Sequence, residues 1–448
     1  MRKTILLALA LCMAGLCASA KDETVKKYRR SSLYTIMMPS DKLMGDAKKI
    51  VTATFDTMAI PDKFNNHNLS QRTLDLSTIT VSDEEIAAIT QAETAKKKGF
   101  GKFMKMAKGF VSQPTSDQKG KGNDDVNIAK LLKYFKENKI ANKLVGKWYG
   151  ESAKPGKNGS CFNYDLIRER GLQNAAQEEL AMADIAKMGR SKIIDNAADE
   201  LIPNTFVMVT YYGYMSAEEI IDYITALADA SGAGGYASLG GMGLKMFLKG
   251  YFVKTSSYLF QLEWNKDIRK SFEEKYYMSK DTKAFDESDE FQLKYVGKTW
   301  DYAPATMKLS FADAAAAKLI SRATERATDG SIAKLQKKYD VFRTLSTVHV
   351  DGDKIYAYIG KKEGLDDGDK FDVIECVNNE DGTTTYNKVT TIKVAKDKVW
   401  DNRAGAGEKL EGQAQAKADK DIDPNATYTE FDGNAKKILD GMFIKQAE

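Results

Sequence analysis

The nucleophiles and bases of this 448-residue chain are few: two histidines, His67 and His349, and four cysteines. His67 lies among Asn65, Asn66 and Asn68, and His349 between Val348 and Val350 in a strand-like run. Neither neighbours a serine or cysteine elbow of the kind that presents a nucleophile to a base. A zinc centre would need both histidines and two cysteines at one point, so no metal is expected. The glycine-rich stretches 232–235 and 240–243 lack the Lys-Ser/Thr pair of a phosphate loop and follow a helical pattern rather than a strand. No nucleotide or other cofactor is expected there. Asp419, Asp421, Asp423 and Glu430 have calcium-loop spacing, but Pro424 stands where the loop needs a sharply turning glycine. That stretch reads as a solvated acidic loop. A catalytic carboxylate pair remains open, because Asp and Glu are too abundant for spacing to locate one.

Residues 96–111 carry a different chemistry. Phe100, Phe103, Met104, Ala107, Phe110 and Val111 fall at helical spacing on one face, with Lys96, Lys97, Lys98, Lys102, Lys105 and Lys108 around the rest. A basic amphipathic helix with aromatics on its apolar side can lie on an anionic membrane or an acidic partner. The docking residues expected are Lys102, Phe103, Lys105, Lys108 and Phe110. The simpler reading, a helix packed on its own domain with a solvated lysine face, has the greater weight. Gly99, Gly101 and Gly109 weaken the helix in either case.

Composition narrows the classes further. Hydrophobic content of 43% and charged content of 29% describe a folded chain rather than a disordered one. Sixty-seven Lys+Arg against 63 Asp+Glu give a net charge of only +4, which argues against nucleic acid as a partner. Arg2 and Lys3, an apolar run over 5–16 and Ala18-Ser19-Ala20 form a secretory signal over residues 1–20. Export to the periplasm or outer membrane, or secretion, is therefore expected. Lipid attachment at Cys17 is disfavoured by Leu16 before it. Cleavage after Ala20 leaves Cys161 and Cys376, which fall in different expected domains and read as unpaired thiols. No later run is apolar enough for a bilayer span.

Along the chain, 21–111 reads as an N-terminal α/β region with a strand over 33–38 and a helix opening at Ser82-Asp83-Glu84-Glu85. Residues 112–125 are polar and read as a flexible linker. Residues 126–340 alternate helical patterns with the apolar runs 205–212, 258–264 and 291–296, a central mixed α/β domain. Residues 341–403 show short strands with Gly/Asp turns, a small β-barrel. Residues 404–448 read as a polar tail with a short terminal helix. The fold class is α+β or mixed α/β and multidomain, with a helix-rich central domain around a buried sheet and a small C-terminal barrel.

One turn carries a resemblance. Ile359-Gly360-Lys361-Lys362-Glu363-Gly364-Leu365, followed by Gly368-Asp369, Phe371 and Val373, resembles the small C-terminal barrel of flagellar T-ring assembly proteins. Related modules accompany curli-secretion-channel-like envelope proteins. The likeness covers about 50 of the 448 residues. The whole chain is also similar to exported envelope proteins of Bacteroidota. The resemblance implies binding or assembly work in the envelope and carries over no catalytic residue. In physical terms Gly360, Gly364, Gly368 and Asp369 read as turn geometry, since glycine takes positive φ and aspartate caps turns. The sequence thus favours a non-enzymatic envelope protein with a protein partner or membrane surface. A secreted hydrolase with a carboxylate site in 126–340 is the alternative. The oligomeric state is left open.

Overall fold

The computed structural model describes residues 28–39, 45–100, 121–163, 165–167, 169–170, 200–216, 248–308, 313–378, 384–404, 406 and 426–447. The strands are β1 (Tyr28–Arg29), β2 (Ser31–Pro39), β3 (Phe64–Asn66), β4 (Thr205–Ser216), β5 (Leu248–Leu262), β6 (Leu293–Lys308), β7 (Leu345–Thr347), β8 (His349–Asp351), β9 (Lys354–Ala357), β10 (Lys370–Asn378), β11 (Thr384–Val394), β12 (Thr429–Asp432) and β13 (Phe443–Gln446). The helices are α1 (Gly45–Thr57), α2 (Asp83–Phe100), α3 (Lys121–Glu137), α4 (Ile140–Trp148), α5 (Lys266–Lys275), α6 (Lys283–Glu287) and α7 (Asp313–Lys338). The architecture is mixed α/β with two sheets.

The first sheet has the order β3-β2-β4-β5-β6, with β2 parallel to β3 and β4, and β5 and β6 antiparallel. Alternation along each strand divides its side chains between two helical layers. Tyr34, Ile36 and Met38, with Val207, Val209, Tyr258 and Phe260, face Leu131, Phe135, Leu144, Trp148 and Phe272 of α3, α4 and α5. Leu33, Met37, Phe206, Met208, Val253 and Leu259 face α1 and α7 on the other side. The α7 face is partly polar. Thr255 Oγ1 and Ser331 Oγ are 2.6 Å apart, and Tyr212 OH and Thr328 Oγ1 are 2.8 Å apart. Buried hydroxyls are thus paired across the helix–sheet seam, as burial requires.

The outer edge of this sheet is closed by α7 and the residue after it. Tyr339 OH accepts from the Lys298 amide (3.0 Å) and donates to its carbonyl (3.2 Å). Lys338 and Lys334 donate to the carbonyls of Lys298 and Trp300. Gly297 makes room for this plug, because a Cβ there would stand 2.0 Å from the Tyr339 ring. Pro304, at the same strand parity, has no N–H to offer. The edge of β6 is thereby covered at Lys298 and Trp300.

The second sheet has the order β1-β7-β13-β10-β11-β12-β9-β8. Only Val348 separates β7 from β8. The two ends of the ladder between them are therefore one continuous stretch of chain, and the sheet curls into a small barrel. Val348, Ile355, Ala357, Ile359, Phe371, Val373, Ile392, Val394, Phe431 and Ile444 fill it.

Three boundaries differ from the sequence expectation. The N-terminal region is no separate unit: β2 lies between β3 and β4 in the first sheet, while β1, one residue earlier, pairs with β7 of the barrel. A parallel strand finds its partners across long connections, and local pattern says nothing about them. The expected linker ends early, because 121–125 already form the first turns of α3; 112–120 lie outside the described residues. The expected polar tail supplies β12 and β13, which complete the barrel, and among its described residues the helical piece is a single 3-10 turn, Ala435–Lys437. Four-residue strands are too short for periodicity to reveal. Cys161 packs in the large core and Cys376 lies on β10, far apart in the topology.

Candidate functional site

The turn between β9 and β10 is where the barrel meets α7. Gly364 has φ +76° and a Cβ there would meet Ala333 Cβ of α7 at 3.0 Å. The turn can lie on the helix only because this residue has no side chain. Gly368 has φ +80°. Gly360 faces the Trp400 carbonyl, and Lys361 N–H donates to that carbonyl at 2.9 Å. Asp369 Oδ2 accepts from the Asp366 amide (3.1 Å), Lys337 of α7 (3.2 Å) and Gln446 Nε2 (3.4 Å). It ties the turn, the helix and the last strand together. Leu365, Phe371 and Val373 of the same motif enter the barrel core. The motif therefore seats the barrel on the α/β body.

Charged side chains gather under this seat. Glu363 Oε2 accepts from the Gly360 amide and Asn402 Nδ2, each at 2.8 Å. Lys362 Nζ stands 3.9 Å from Asp329 Oδ2 of α7. Lys63, only 2% exposed, donates to Gln336 Oε1 at 2.8 Å. Burial pulls its ammonium below the ordinary lysine range, while Glu363 and Asp329 pull it back up. Burial also pushes Asp329 up to about 6 against the opposing attraction of Lys362 and Lys63.

The outer wall of the barrel carries a row of rings. On β9, Ile355 and Ala357 point inward, as does Ile359 beyond it, so Lys354 and Tyr356, and Tyr358 just after the strand, point outward. His349 stacks on Tyr356 at 5.4 Å and meets Tyr358 edge-on at 5.4 Å. Tyr428 lies 4.9 Å from Tyr356, and Lys354 Nζ stands 4.4 Å from the Tyr428 ring centre. Lys354 also pairs with Glu430 at 3.2 Å. His349 Nδ1 faces Asp440 Oδ1 at 3.3 Å, which leaves Nε2 as a buried atom without a hydrogen-bond partner. The row thus gathers half-buried rings with a cation and carboxylates of near-balanced charge on one side of the barrel.

A third cluster lies at the end of α4. Glu151, half-buried over Gly146, hydrogen-bonds Asp286 of α6; burial first and the Asp286 charge second push it up to about 7. The Asp286 charge beside it thus disfavours ionisation of Glu151. Thr282 Oγ1 donates to Asp286 at 2.7 Å. Cys161 is buried nearby, and burial with Asp281 and Glu151 raises its thiol away from thiolate chemistry.

The two histidines do not form a dyad with a cysteine. His67 Nε2 donates to the Leu144 carbonyl at 2.9 Å and stacks on Trp148 at 4.7 Å, with Arg170 above the same indole. Burial lowers it to about 3, so it is a neutral core group at physiological pH. Glu430, read as the last position of an acidic loop, pairs with Lys354 and Lys398. Residues 419–425, the glycine-rich 232–243 and the docking residues Lys102, Phe103, Lys105, Lys108 and Phe110 lie outside the described residues. Sequence reasoning missed the ring row and both charge clusters. Tyr356 and Tyr358 at period two on and just after β9 gave a signal for the first, but Glu151 and Asp286 are brought together only by the fold. Among the described residues, no group of His, Cys, Asp and Glu is arranged to hold a metal, and no helix is long and apolar enough to cross a membrane.

A comparison with protein-family models gives no match, and one with curated proteins gives none either.

Proposed function

We propose that the protein is a non-enzymatic component of the cell envelope, exported by its N-terminal signal and acting in binding or assembly at the periplasmic face or outer membrane. In this reading, 126–340 form a helix-rich layer around the buried sheet, and the barrel is the recognition module. The observation that carries it is the outward row His349, Tyr356, Tyr358 and Tyr428 on a barrel fixed to its body by a dedicated turn. Rigid mounting lowers the ordering cost of binding. The basic segment, with Lys102, Phe103, Lys105, Lys108 and Phe110, supplies a second contact to an anionic membrane or acidic partner. The test is chemical cross-linking in intact cells followed by purification of the tagged protein. The unaltered chain is expected to retain a discrete adduct that the double variant Tyr356→Ala, Tyr428→Ala loses. Equal recovery from both would remove the barrel surface from the reading. Reversing Lys102, Lys105 and Lys108 to Glu is expected to abolish binding to anionic liposomes at low salt.

A second reading rests on the Glu151–Asp286 pair. A carboxyl held near 7 beside a second carboxyl suits general acid–base work, and so a secreted hydrolase. Its test is a panel of glycoside and peptide substrates between pH 5 and 8. Turnover lost in Glu151→Gln supports it, and no turnover on the panel counts against it.

A further inference from the structure

Lys63 is buried without an anion in contact. It stands just before β3, beside the Phe64 ring, in the seam where Phe64, Ile332, Leu335 and Phe342 pack between the first sheet and α7. Among the described residues its side chain makes one hydrogen bond, to Gln336 Oε1 at 2.8 Å, and no ion pair at contact distance. Asp329 and Glu363 act on it from farther off, and Glu363 is already engaged by Gly360 and Asn402. One neutral acceptor is a poor match for a buried group with three donors and a full charge. Gln336 is equally buried and is held from its other end. Its Nε2 donates to the Phe342 carbonyl (3.2 Å) and to Thr344 Oγ1 (3.1 Å), and Arg343 Nε donates to its backbone carbonyl (3.0 Å). The carbonyl end of the amide, Oε1 with Cδ, is thereby turned to the lysine. We propose that Lys63 and Gln336 become joined by an isopeptide bond between their side chains, formed by the folded chain itself.

The step balances without a further reactant. Nζ of the neutral amine adds to Cδ and forms the new N–C bond; the Cδ–Nε2 bond breaks as the carbonyl re-forms, and Nε2 leaves. Counted from the ammonium form of Lys63, Nζ gives up two protons, and both depart with Nε2 as an ammonium ion. Asp329 and Glu363, the carboxyls whose charges act on Lys63, are the groups that relay them. The fold supplies the rest. Two side chains from positions 273 residues apart are held together, which replaces a bimolecular encounter. Burial lowers the proton affinity of the amine and so frees its lone pair. The apolar seam keeps water from competing as nucleophile. The product exchanges a buried, unpaired cation for a neutral amide, which removes the cost of burying it.

The experiment is protease digestion of the purified, folded and then denatured full chain, followed by tandem mass spectrometry. The expected result is one branched species that joins the peptide containing Lys63 to the peptide containing Gln336, lighter than their sum by one ammonia. The two peptides are not expected separately. The variant Lys63→Met, which has no amine at this position, is expected to release the Gln336 peptide unbranched at its full mass. Recovery of both peptides unbranched and unmodified from most of the unaltered protein would overturn the cross-link and leave an ordinary lysine–amide hydrogen bond. Should the variant fail to fold, the digest of the unaltered protein decides alone, because the branch point is read directly from its fragments. The readout is independent of any partner or substrate.

Discussion

Replacing Gly364 with alanine tests the claim that one turn mounts the barrel. The residue has φ +76°, in the left-handed region that costs an L-residue about 1–2 kcal/mol. Its new methyl would also meet Ala333 Cβ at 3.0 Å, closer than a relaxed carbon contact. Overpacking of this kind adds about 1–3 kcal/mol unless the partner can move, and the Ala333 methyl, fixed to the backbone of α7, has no rotamer by which to swing away. Together the loss is about 2–5 kcal/mol. The double variant Gly364→Ala, Ala333→Gly removes the contact but not the φ strain, and glycine within α7 costs about 1 kcal/mol of its own. Its coupling is therefore expected to be favourable, with the pair losing less than the sum of its singles. Urea unfolding followed by near-ultraviolet circular dichroism and by hydrogen exchange of β10 measures both. A loss below about 0.5 kcal/mol in the single variant, or strict additivity, would show that the turn does not bear on the helix.

Three further outcomes are expected. Phe272, fully buried among Tyr149, Phe162, Phe285 and Phe291, should cost about 3–5 kcal/mol as Phe272→Ala, seen as a lowered denaturation midpoint. Tyr339→Phe removes both bonds to the Lys298 backbone and should cost about 1–2 kcal/mol; sedimentation velocity should also show more self-association, because an edge N–H is released. Glu151 is raised from 4.5 to about 7, so its contribution to stability is complete below 4.5 and fades as pH rises through 7. Denaturation midpoints of the unaltered protein should fall between pH 5 and 8 relative to those of Glu151→Gln, and parallel curves would contradict a raised Glu151 carboxyl.

The fold was legible where pattern is local and long. The continuous run from Thr205 announced β4, and the acids at 83–85 announced the start of α2. The barrel turn was legible because glycine and aspartate have few structural meanings at that spacing. What stayed hidden depends on distance along the chain. Nothing near Leu33 says that its strand pairs in parallel with one starting at Thr205. Nothing near Phe443 says that four residues close a barrel begun at Leu345. The same holds for chemistry: Lys63 and Gln336 meet across 273 positions, and each alone reads as surface. Surface-type residues become informative only when the fold buries them.

The most direct test of the account is a photo-reactive residue placed at Tyr356, on the outer wall of the barrel, in cells that export the protein. A second chain carries it at Thr391, on β11 away from the ring row. Irradiation is expected to give one discrete adduct from position 356 and none of that mass from position 391. Abundant protein in the envelope fraction with no adduct at 356, or with the same adduct at both positions, would contradict a barrel that recognises a partner through its aromatic wall.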